Sequence, residues 1–180
     1  MQTFYYSRII FLLTLIVFGL SATAEPVGTE MTDPLNDFSL VREYSPNLKI
    51  DTINPGNFNG DSARCVRTSV SDGYLIYEIE NSVGFSIEFW KVDENSGEIS
   101  VYWSTDGIVY TEIPTVTEGP YNHGYRDLEI VKAAENLPAG IKFLKIIISG
   151  GNGGWKGQIG SVGFSTSATY HDTPTTFYID

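Results

Sequence analysis

The chain has 180 residues and carries 22 acidic against 11 basic side chains, which gives a formal net charge of −11. This charge repels phosphate backbones and anionic headgroups, so it argues against nucleic acid and membrane surfaces as partners. It also disfavours strongly anionic polysaccharides, unless a local basic patch or a calcium ion bridges them. Cys65 is the only cysteine, so the fold must be held by a buried core rather than by an intrachain disulfide.

The first 24 residues have the three parts of a cleavable secretory signal peptide. Arg8 supplies positive charge, residues 9–20 form an apolar run, and Ala22-Thr23-Ala24 is an A-x-A cleavage pattern. The apolar run is too short to span a bilayer, which needs about 20 residues. We therefore expect a secreted, extracellular protein with no membrane association after cleavage.

Downstream of residue 24, apolar residues alternate with polar ones in short runs, and clusters of Gly, Asn, Asp and Pro separate the runs. This pattern is typical of β-strands. In the clearest run, 84–92, the alternation puts Phe85, Ile87 and Phe89 on one face and Trp90 on the other. In chain order the predicted strands cover 38–44, 48–51, 65–69, 74–79, 84–92, 98–104, 108–113, 125–131, 141–149 and 158–164.

Asp106-Gly107 lies between two of these runs and is a strong hairpin signal. Together the strands and turns predict an all-β fold, an antiparallel jelly-roll β-sandwich of about nine strands. The segment 131–136 could add one helical turn. The chain then divides into a signal peptide, a flexible lead-in, the sandwich domain and either a Ser/Thr-rich tail or a late edge strand, at residues 1–24, 25–34, 35–164 and 165–180.

Common catalytic motifs are missing from the sequence. His123 and His171 belong to no zinc pattern such as H-E-x-x-H, and the chain has neither a G-x-S-x-G elbow nor a P-loop. Glycoside hydrolysis needs two facing carboxylates, and acidic residues stand in predicted strands at Glu78, Glu88, Glu98 and Glu112. Acidic residues on outer strand faces usually only add solubility, so we predict a protein that is not an enzyme.

The 10 Phe, 3 Trp and 11 Tyr residues include four that fall where a core would not place them: Trp155, Tyr121, Tyr125 and Trp90. Sugars present apolar C–H faces ringed by hydroxyls, so exposed aromatic rings beside polar groups suit carbohydrate. A core position stays open for Trp90, under a loop, and for Trp155, at the end of the sandwich. We expect the four rings to bind an oligosaccharide or polysaccharide, with polar contacts from Asn152, Arg64 and Glu88.

Acidic and amide side chains are frequent in the turn-rich stretch between residues 33 and 61. Oxygen ligands of this kind suit hard cations, although the EF-hand spacing is absent. A structural calcium ion (Ca2+) is therefore the one cofactor we consider, with Asp33 and Asp37 as weak candidate ligands. A stretch with the Asn- and Gly-rich composition of residues 54–61 more often forms a tight surface loop than a calcium site.

The chain carries an ordered series of short motifs: Asp37-Phe38, Asn54-Pro55, Gly60-Asp61, Arg64, Arg67-Thr68, Ser104-Thr105-Asp106-Gly107, Tyr110-Thr111-Glu112, Leu137-Pro138-Ala139-Gly140, and Trp155 with Gln158-Ile159-Gly160. In this order they resemble the β-sandwich modules attached to bacterial glycoside hydrolases and polysaccharide lyases. The resemblance covers residues 33–164. It implies a carbohydrate-binding-module-like, galactose-binding-like jelly roll that binds polysaccharide, often with a structural calcium. Tyr110 departs from the pattern, which has tryptophan there.

The resemblance leaves two positions open for the site. Such modules use either a cleft at the loop edge, which Trp155 and Asn152 would suit, or a sheet face, which Trp90 and Glu88 would suit. We predict a secreted, non-catalytic carbohydrate-binding protein. The alternatives are a structural or protein-binding extracellular sandwich and, less favoured, a small glycan hydrolase or lyase.

Overall fold

The computed structural model describes residues 30–80 and 82–166. The predicted signal peptide at 1–24 and the end of the chain from residue 167 lie outside the described residues. The signal peptide, and the choice between a tail and a late edge strand, therefore stay predictions. Among the described residues, no helix is long and apolar enough to cross a membrane.

The described chain consists of twelve strands and one short 3-10 turn, Pro55–Phe58. The strands are β1 Glu30–Asp33, β2 Glu43–Tyr44, β3 Leu48–Asp51, β4 Arg64–Arg67, β5 Gly73–Glu78, β6 Ser82–Lys91, β7 Glu98–Ser104, β8 Thr111–Glu112, β9 Thr115–Asn122, β10 Asp127–Ala133, β11 Phe143–Ser149 and β12 Gln158–Thr166.

These strands form two antiparallel sheets. The first sheet has the order β3-β4-β12-β6-β10-β9, with β1 also paired to β12, and the second has the order β2-β5-β11-β7-β8. If β4, β5, β6, β7, β8, β10, β11 and β12 are counted as strands one to eight, the two sheets read 1-8-3-6 and 2-7-4-5. This is the double Greek key of a jelly roll. The predicted all-β jelly-roll sandwich is therefore confirmed.

The core lies between the two sheets and follows the alternation seen in the sequence. On β6, Phe85, Ile87 and Phe89 are buried in it, as the pattern predicted. The opposite wall comes from β11, whose buried residues are Leu144, Ile146 and Ile148. Burying each such side chain stabilises the fold by about 1.5–3 kcal/mol. Because the chain contains one cysteine, this core replaces disulfides as the source of stability.

Two of the predicted strands are only two residues long in the structure, because nearby side chains accept hydrogen bonds from backbone amides that a longer strand would use. Of the run 38–44, only β2 pairs in a sheet, since Asp37 Oδ1 accepts the amide of Ser39 and starts a turn. Of the run 108–113, only β8 pairs. Asp106 Oδ1 accepts the amides of Ile108 and Val109 at 2.8 and 3.0 Å, so these amides cannot join a ladder. The predicted hairpin itself forms, because β7 and β8 are paired.

Two strands were not expected. Residues 30–33, assigned to the flexible lead-in, form β1 and pair with β12. Residues 115–122 form β9 at the edge of the first sheet. This strand contains Gly119-Pro120, and an edge strand tolerates proline because one row of its amides has no ladder partner. The segment 131–136 contains the end of β10 and no helical turn.

Candidate binding cleft

Three loops meet at one end of the sandwich and enclose a cleft of about 280 Å³. They are the β3–β4 loop at 52–63, the β9–β10 turn at 123–126 and the β11–β12 loop at 150–157. The cleft is lined by Asp51, Ile53, Asn54, Asn57, Phe58, Tyr125, Arg126, Trp155 and Gln158. The lining therefore combines aromatic rings with amide, carboxylate and guanidinium groups.

Two exposed rings flank a buried arginine in this cleft. Trp155 is 51% exposed and Tyr125 is 57% exposed, whereas Arg126 is only 4% exposed. The guanidinium carbon of Arg126 lies 5.4 Å from the Trp155 ring centroid and 5.6 Å from that of Tyr125. Cation–π attraction at these distances holds the two rings beside the guanidinium.

The guanidinium of Arg126 is poorly supplied with hydrogen bonds. Its Nη1 donates to the carbonyl of Lys156 at 2.5 Å, and its buried Nε has no partner among the described residues. Burial lowers the pKa of the Arg126 guanidinium, but an arginine stays charged at physiological pH. The cation at this cleft therefore makes a single hydrogen bond within the described part of the chain, and its unpartnered Nε is itself buried.

Phe58 forms the buried base of the cleft. Its ring lies 3.7 Å from the guanidinium carbon of Arg64 and 4.7 Å from that of Arg126. The ring is delivered by the 3-10 turn Pro55–Phe58, which is bounded by Asn54 and Asn59, both left-handed with φ of 53° and 52°. Asparagine tolerates this conformation better than most residues. The loop is tight, as its composition indicated.

The Trp155 ring is positioned by contacts of its own loop. A Cβ atom added at Gly154 would lie 2.3 Å from the carbonyl oxygen of Ser69, so only glycine permits this close approach. The carbonyl of Trp155 accepts a hydrogen bond from Gln158 Nε2 at 2.9 Å. Lys156 Nζ lies 2.6 Å from Asp93 Oδ2. These contacts fix the ring before any ligand arrives.

A second groove of about 240 Å³ adjoins the first. It is lined by Lys49, Asp51, Val66, Arg67, Thr68, Gly154 and Trp155. Because Asp51 and Trp155 line both grooves, the indole stands between them. The two grooves therefore offer a chain-like ligand a surface on both sides of Trp155.

Of the site residues predicted from the sequence, the structure brings Trp155 and Tyr125 together in the cleft. Tyr121 is also exposed, but it lies on β9 opposite Leu128 and does not line the cleft. Asn152 is exposed in the same loop as Trp155 and is absent from the lining, while its backbone amide donates to the carbonyl of Asn95.

The expectation that Trp90 and Arg64 are available to a ligand is wrong, because both are buried, at 3% and 0% exposure. The Trp90 indole Nε1 donates to Asp61 Oδ2 at 3.1 Å, and its ring meets the Phe58 ring edge-on at 5.8 Å. Arg64 donates to Gln158 Oε1 at 3.0 Å and to the carbonyls of Ile53 and Asp61. Both residues support the cleft from beneath.

The sheet-face alternative receives less support from the side chains present. Glu88 is half-buried on the outer face of the first sheet, where its Oε2 accepts a hydrogen bond from Ser161 Oγ at 2.8 Å. A hollow of about 310 Å³ opens on that face near Thr32, Ser86 and Lys132. The aromatic residues along it, Phe85 and Phe164, are both buried in the core. No exposed ring therefore lines this hollow.

The two candidate calcium ligands serve other groups of the protein. Asp33 is buried, and its oxygens accept hydrogen bonds from the Leu35 amide at 2.8 Å and the Tyr77 hydroxyl at 2.9 Å. Asp37 accepts the Ser39 amide at 2.7 Å. Within residues 30–80 and 82–166, no group of three His, Cys, Asp or Glu side chains could hold a metal ion. Calcium binding stays a prediction.

Two residues of the cleft, Arg126 and Phe58, were not predicted from the sequence. The local signal was weak: Arg126 follows an exposed tyrosine in a turn, and Phe58 is an isolated aromatic residue within an Asn- and Gly-rich loop. A basic residue next to an aromatic residue in a turn is the pattern that could have indicated a binding role for Arg126. Nothing in the sequence shows that both residues meet Trp155, which lies about a hundred residues downstream of Phe58.

Comparisons with known proteins leave the chain without a family. No family model matches it, and no curated protein matches it in sequence. Three solved structures with a similar fold are a family 6 carbohydrate-binding module from Clostridium stercorarium in complex with cellobiose, the C-terminal family 6 module of a marine laminarinase from Zobellia galactanivorans, and the K1 cleaved adhesin domain of Lys-gingipain from Porphyromonas gingivalis.

Their sequence identities to this chain are 15%, 13% and 14%, and their TM-scores are 0.49, 0.49 and 0.47. The matches cover 76%, 77% and 77% of this chain and 94%, 100% and 99% of the three structures. Two of the three are carbohydrate-binding modules, the class of domain that the sequence motifs resemble. Similarity at this level assigns the chain to no family, so the functional argument rests on the cleft.

Proposed function

We propose that this protein is a secreted, non-catalytic carbohydrate-binding protein and that its site is the loop cleft. One observation carries the proposal. Two exposed aromatic rings, Trp155 and Tyr125, flank a guanidinium in a cleft whose other lining groups are mainly amides and a carboxylate. Flat rings accept the apolar faces of sugars, and the polar groups beside them accept or donate hydrogen bonds to the hydroxyls.

The volume of the cleft and the binding energy that its rings can supply suit a ligand that binds weakly but specifically. Its volume of about 280 Å³ is near the lower end of the range for small-ligand sites, about 300 Å³. Each stacked ring contributes about 0.5–1.5 kcal/mol beyond the burial of its area. Two rings with several hydrogen bonds then correspond to dissociation constants of roughly mM to μM. Affinities of this order are useful when a polymer offers many copies of the same unit.

The second groove favours a polysaccharide over a free monosaccharide. It continues from the cleft past Trp155, which lines both. A polymer stacked on the indole would therefore place neighbouring sugar units in each groove. A single sugar would leave one groove empty.

The carboxylates support binding rather than hydrolysis. Asp51 is the one acidic residue in the lining of the two grooves, whereas glycoside hydrolysis uses a pair of facing carboxylates. The acidic residues considered from the sequence are engaged elsewhere or exposed on strands: Glu78 pairs with Arg42, and Glu88 accepts the Ser161 hydroxyl. We therefore propose binding without bond cleavage.

Native affinity electrophoresis of the protein without residues 1–24, against a panel of soluble plant and algal polysaccharides, tests the proposal. We expect selective retardation by one class of glycan. Trp155→Ala should abolish it while leaving thermal stability unchanged, because the ring is half exposed. Tyr121→Ala is the matched control, since this exposed tyrosine lies outside the cleft lining, and it should be retarded like the wild type.

Parallel gels with calcium and with a chelator test the predicted calcium requirement. If no polysaccharide retards the wild-type protein, the proposal is wrong and a structural or protein-binding function takes its place. If Tyr121→Ala loses retardation and Trp155→Ala does not, the protein binds glycan at another surface.

A further inference from the structure

Three buried arginines lie at or behind the two grooves, and none of them contacts a carboxylate directly among residues 30–80 and 82–166. Arg64, Arg67 and Arg126 are 0%, 1% and 4% exposed. None of them forms a salt bridge within the described part of the chain, where the paired cations are Arg42, Lys91, Lys132 and Lys156. A buried charge without a counter-charge is costly, so buried arginines are normally paired. Three unpaired ones at one end of a domain call for an explanation.

Carbonyl groups and an amide accept three hydrogen bonds from each of two of them, although the buried Nε of Arg67 has no partner among the described residues. Arg64 makes three hydrogen bonds, to Gln158 Oε1 and to two backbone carbonyls. Arg67 donates to the carbonyls of Val70, Ser71 and Gly150. These dipoles stabilise the guanidinium groups but leave their positive charge in place. Burial lowers the pKa of both groups, yet arginine stays ionised under physiological conditions.

Arg126 differs from the other two because it has the fewest hydrogen bonds of the three. It makes one side-chain hydrogen bond, to the carbonyl of Lys156, and its Nε has no partner in the part of the chain that the structure describes. It also lines the cleft directly, between the Trp155 and Tyr125 rings. A sugar stacked on either ring would therefore bring its ring substituents to the guanidinium.

The charge of the two grooves is opposite in sign to that of the protein. Their lining contains three cations, Lys49, Arg67 and Arg126, and one anion, Asp51. Arg64 lies against Phe58, but the nearby Asp61 carboxylate offsets its charge. The protein as a whole carries −11. The surface proposed to bind sugar is thus locally basic, which is the condition under which an acidic glycan was expected to bind.

We propose that the cleft recognises an acidic glycan, whose carboxylate or sulfate oxygens accept hydrogen bonds from Arg126. This inference rests on the proposed function, since it names the substrate class of the same site. The planar guanidinium matches the two oxygens of such a group, and a charge-assisted pair is about twice as strong as a neutral hydrogen bond. Lys49 and Arg67 would attract the acidic units that follow along the second groove.

The experiment compares polymers that share a backbone and differ in whether one substituent is charged. The carboxylate arm pairs polygalacturonate with its fully methyl-esterified form, and the sulfate arm pairs a sulfated galactan with its desulfated form. We expect at least one charged polymer to bind about tenfold more tightly than its neutral partner at low ionic strength. The preference should shrink at high salt, because screening weakens exposed charge interactions. The two arms identify which anionic group is recognised.

A variant series assigns the preference to Arg126. Arg126→Gln should remove most of the preference for the charged polymer, whereas Arg42→Gln should preserve this preference. Arg42→Gln removes the same charge from an exposed residue that pairs with Glu78 and lines neither groove, so it controls for net charge. Lys49→Gln changes an exposed side chain in the second groove and should lower the preference about two- to fivefold. It tests the proposal even if Arg126→Gln does not fold.

The outcomes separate this inference from the proposed function. Equal affinity for charged and neutral polymers, with both lost in Trp155→Ala, overturns the inference and leaves carbohydrate binding intact. A preference for charge that survives both Arg126→Gln and Lys49→Gln also overturns it. Retention of no polymer at all overturns the proposed function, and the inference with it.

Discussion

The guanidinium carbon of Arg126 lies 4.7 Å from the ring centroid of Phe58, so a buried phenyl ring carries the cation that lines the cleft. The same ring also contacts Arg64 and meets Trp90 edge-on. The guanidinium of Arg126 is therefore within cation–π distance of three rings, the exposed rings of Trp155 and Tyr125 and the buried ring of Phe58.

Phe58→Ala should weaken both the fold and the site. Truncating a buried phenylalanine costs about 3–5 kcal/mol, and here it also removes the surface on which Arg126 rests. We expect a lower free energy of unfolding in denaturant titrations. Under conditions where the variant is folded, its affinity for the retained polysaccharide should fall on the order of tenfold.

Phe38→Ala provides the comparison. Phe38 stacks on Tyr44 with ring centroids 4.1 Å apart and packs against the core away from the cleft lining. The Phe38→Ala variant should therefore be less stable than the wild type and bind the polysaccharide with the same affinity. If Phe58→Ala binds the polysaccharide with unchanged affinity, the position of Arg126 does not depend on its contact with the Phe58 ring.

Trp90→Phe should reduce stability without changing binding. The substitution removes the indole N–H that donates to Asp61 and leaves a half-buried acceptor unpaired, which costs about 1–3 kcal/mol. The ring itself is buried and cannot touch a ligand. Denaturant unfolding and affinity electrophoresis at a temperature where the variant is folded measure the two effects. Lower affinity with unchanged stability would instead make Trp90 a ligand contact.

Trp90 also shows what sequence patterns reveal and what they miss. Alternation in β6 correctly predicted that Phe85, Ile87 and Phe89 face the core and that Trp90 faces away from it. An outward direction does not mean exposure, however, because the loop at 52–63 folds over Trp90 and brings Phe58 against it. The path of a long loop depends on tertiary contacts that alternation within one strand cannot encode.

The same limit explains the candidate site. The glycine-rich setting of Trp155 and the turn position of Tyr125 indicated exposure, and both rings are exposed. Arg64 was predicted as a hydrogen-bonding partner of the ligand, whereas its guanidinium is buried against Phe58. Arg126 was missed because its role arises only where three loops converge. Local sequence predicts the conformation of each loop better than their meeting point.

The pH dependence of stability should contain a contribution from Asp61. Burial raises the pKa of this carboxyl above its ordinary value of 3.8, although the Ala63 amide, the Trp90 indole and Arg64 oppose the shift. Between 3.8 and the raised value, the folded state binds more protons than the unfolded state. Stability therefore falls as pH rises through this window.

Asp61→Asn removes the titrating group and keeps an oxygen that can accept from Trp90. The difference in unfolding free energy between wild type and Asp61→Asn, measured at steps from pH 3.5 upward, isolates the effect from the other carboxyls. We expect wild type to lose stability relative to the variant as pH rises. A difference that stays constant, or that changes in the opposite direction, contradicts a raised pKa in the fold.

Cys65 should be unreactive in the native protein. It is fully buried on β4, and burial together with the nearby Asp33 raises the pKa of its thiol to about 12. The thiolate is the reactive form, so a disulfide reagent at pH 8 should label the folded protein no faster than the protein unfolds. Complete labelling in denaturant is the positive control. Rapid labelling of the native protein would contradict this prediction, because it would show that the reagent reaches Cys65 without unfolding.

Gly154→Ala should displace the Trp155 ring and weaken binding. The added methyl group would lie 2.3 Å from the carbonyl oxygen of Ser69 and 2.8 Å from that of Arg67, and backbone atoms cannot yield as a flexible side chain would. The β11–β12 loop must therefore shift, which moves the indole away from Arg126. We expect affinity for the retained polysaccharide to fall about tenfold or more, as a misplaced contact group costs well over 1.4 kcal/mol.

Gly56→Ala is the matched control for this substitution. Gly56 lies in the 3-10 turn beside the same cleft, and a Cβ atom there would meet nothing within 4 Å. Alanine at this position should leave affinity unchanged and reduce the conformational entropy of the unfolded chain, which raises stability by about 0.4–1 kcal/mol. If both alanine variants bind like the wild type, the position of Trp155 does not depend on the close approach at Gly154. The indole would then be free to move to its ligand rather than being held in place for it.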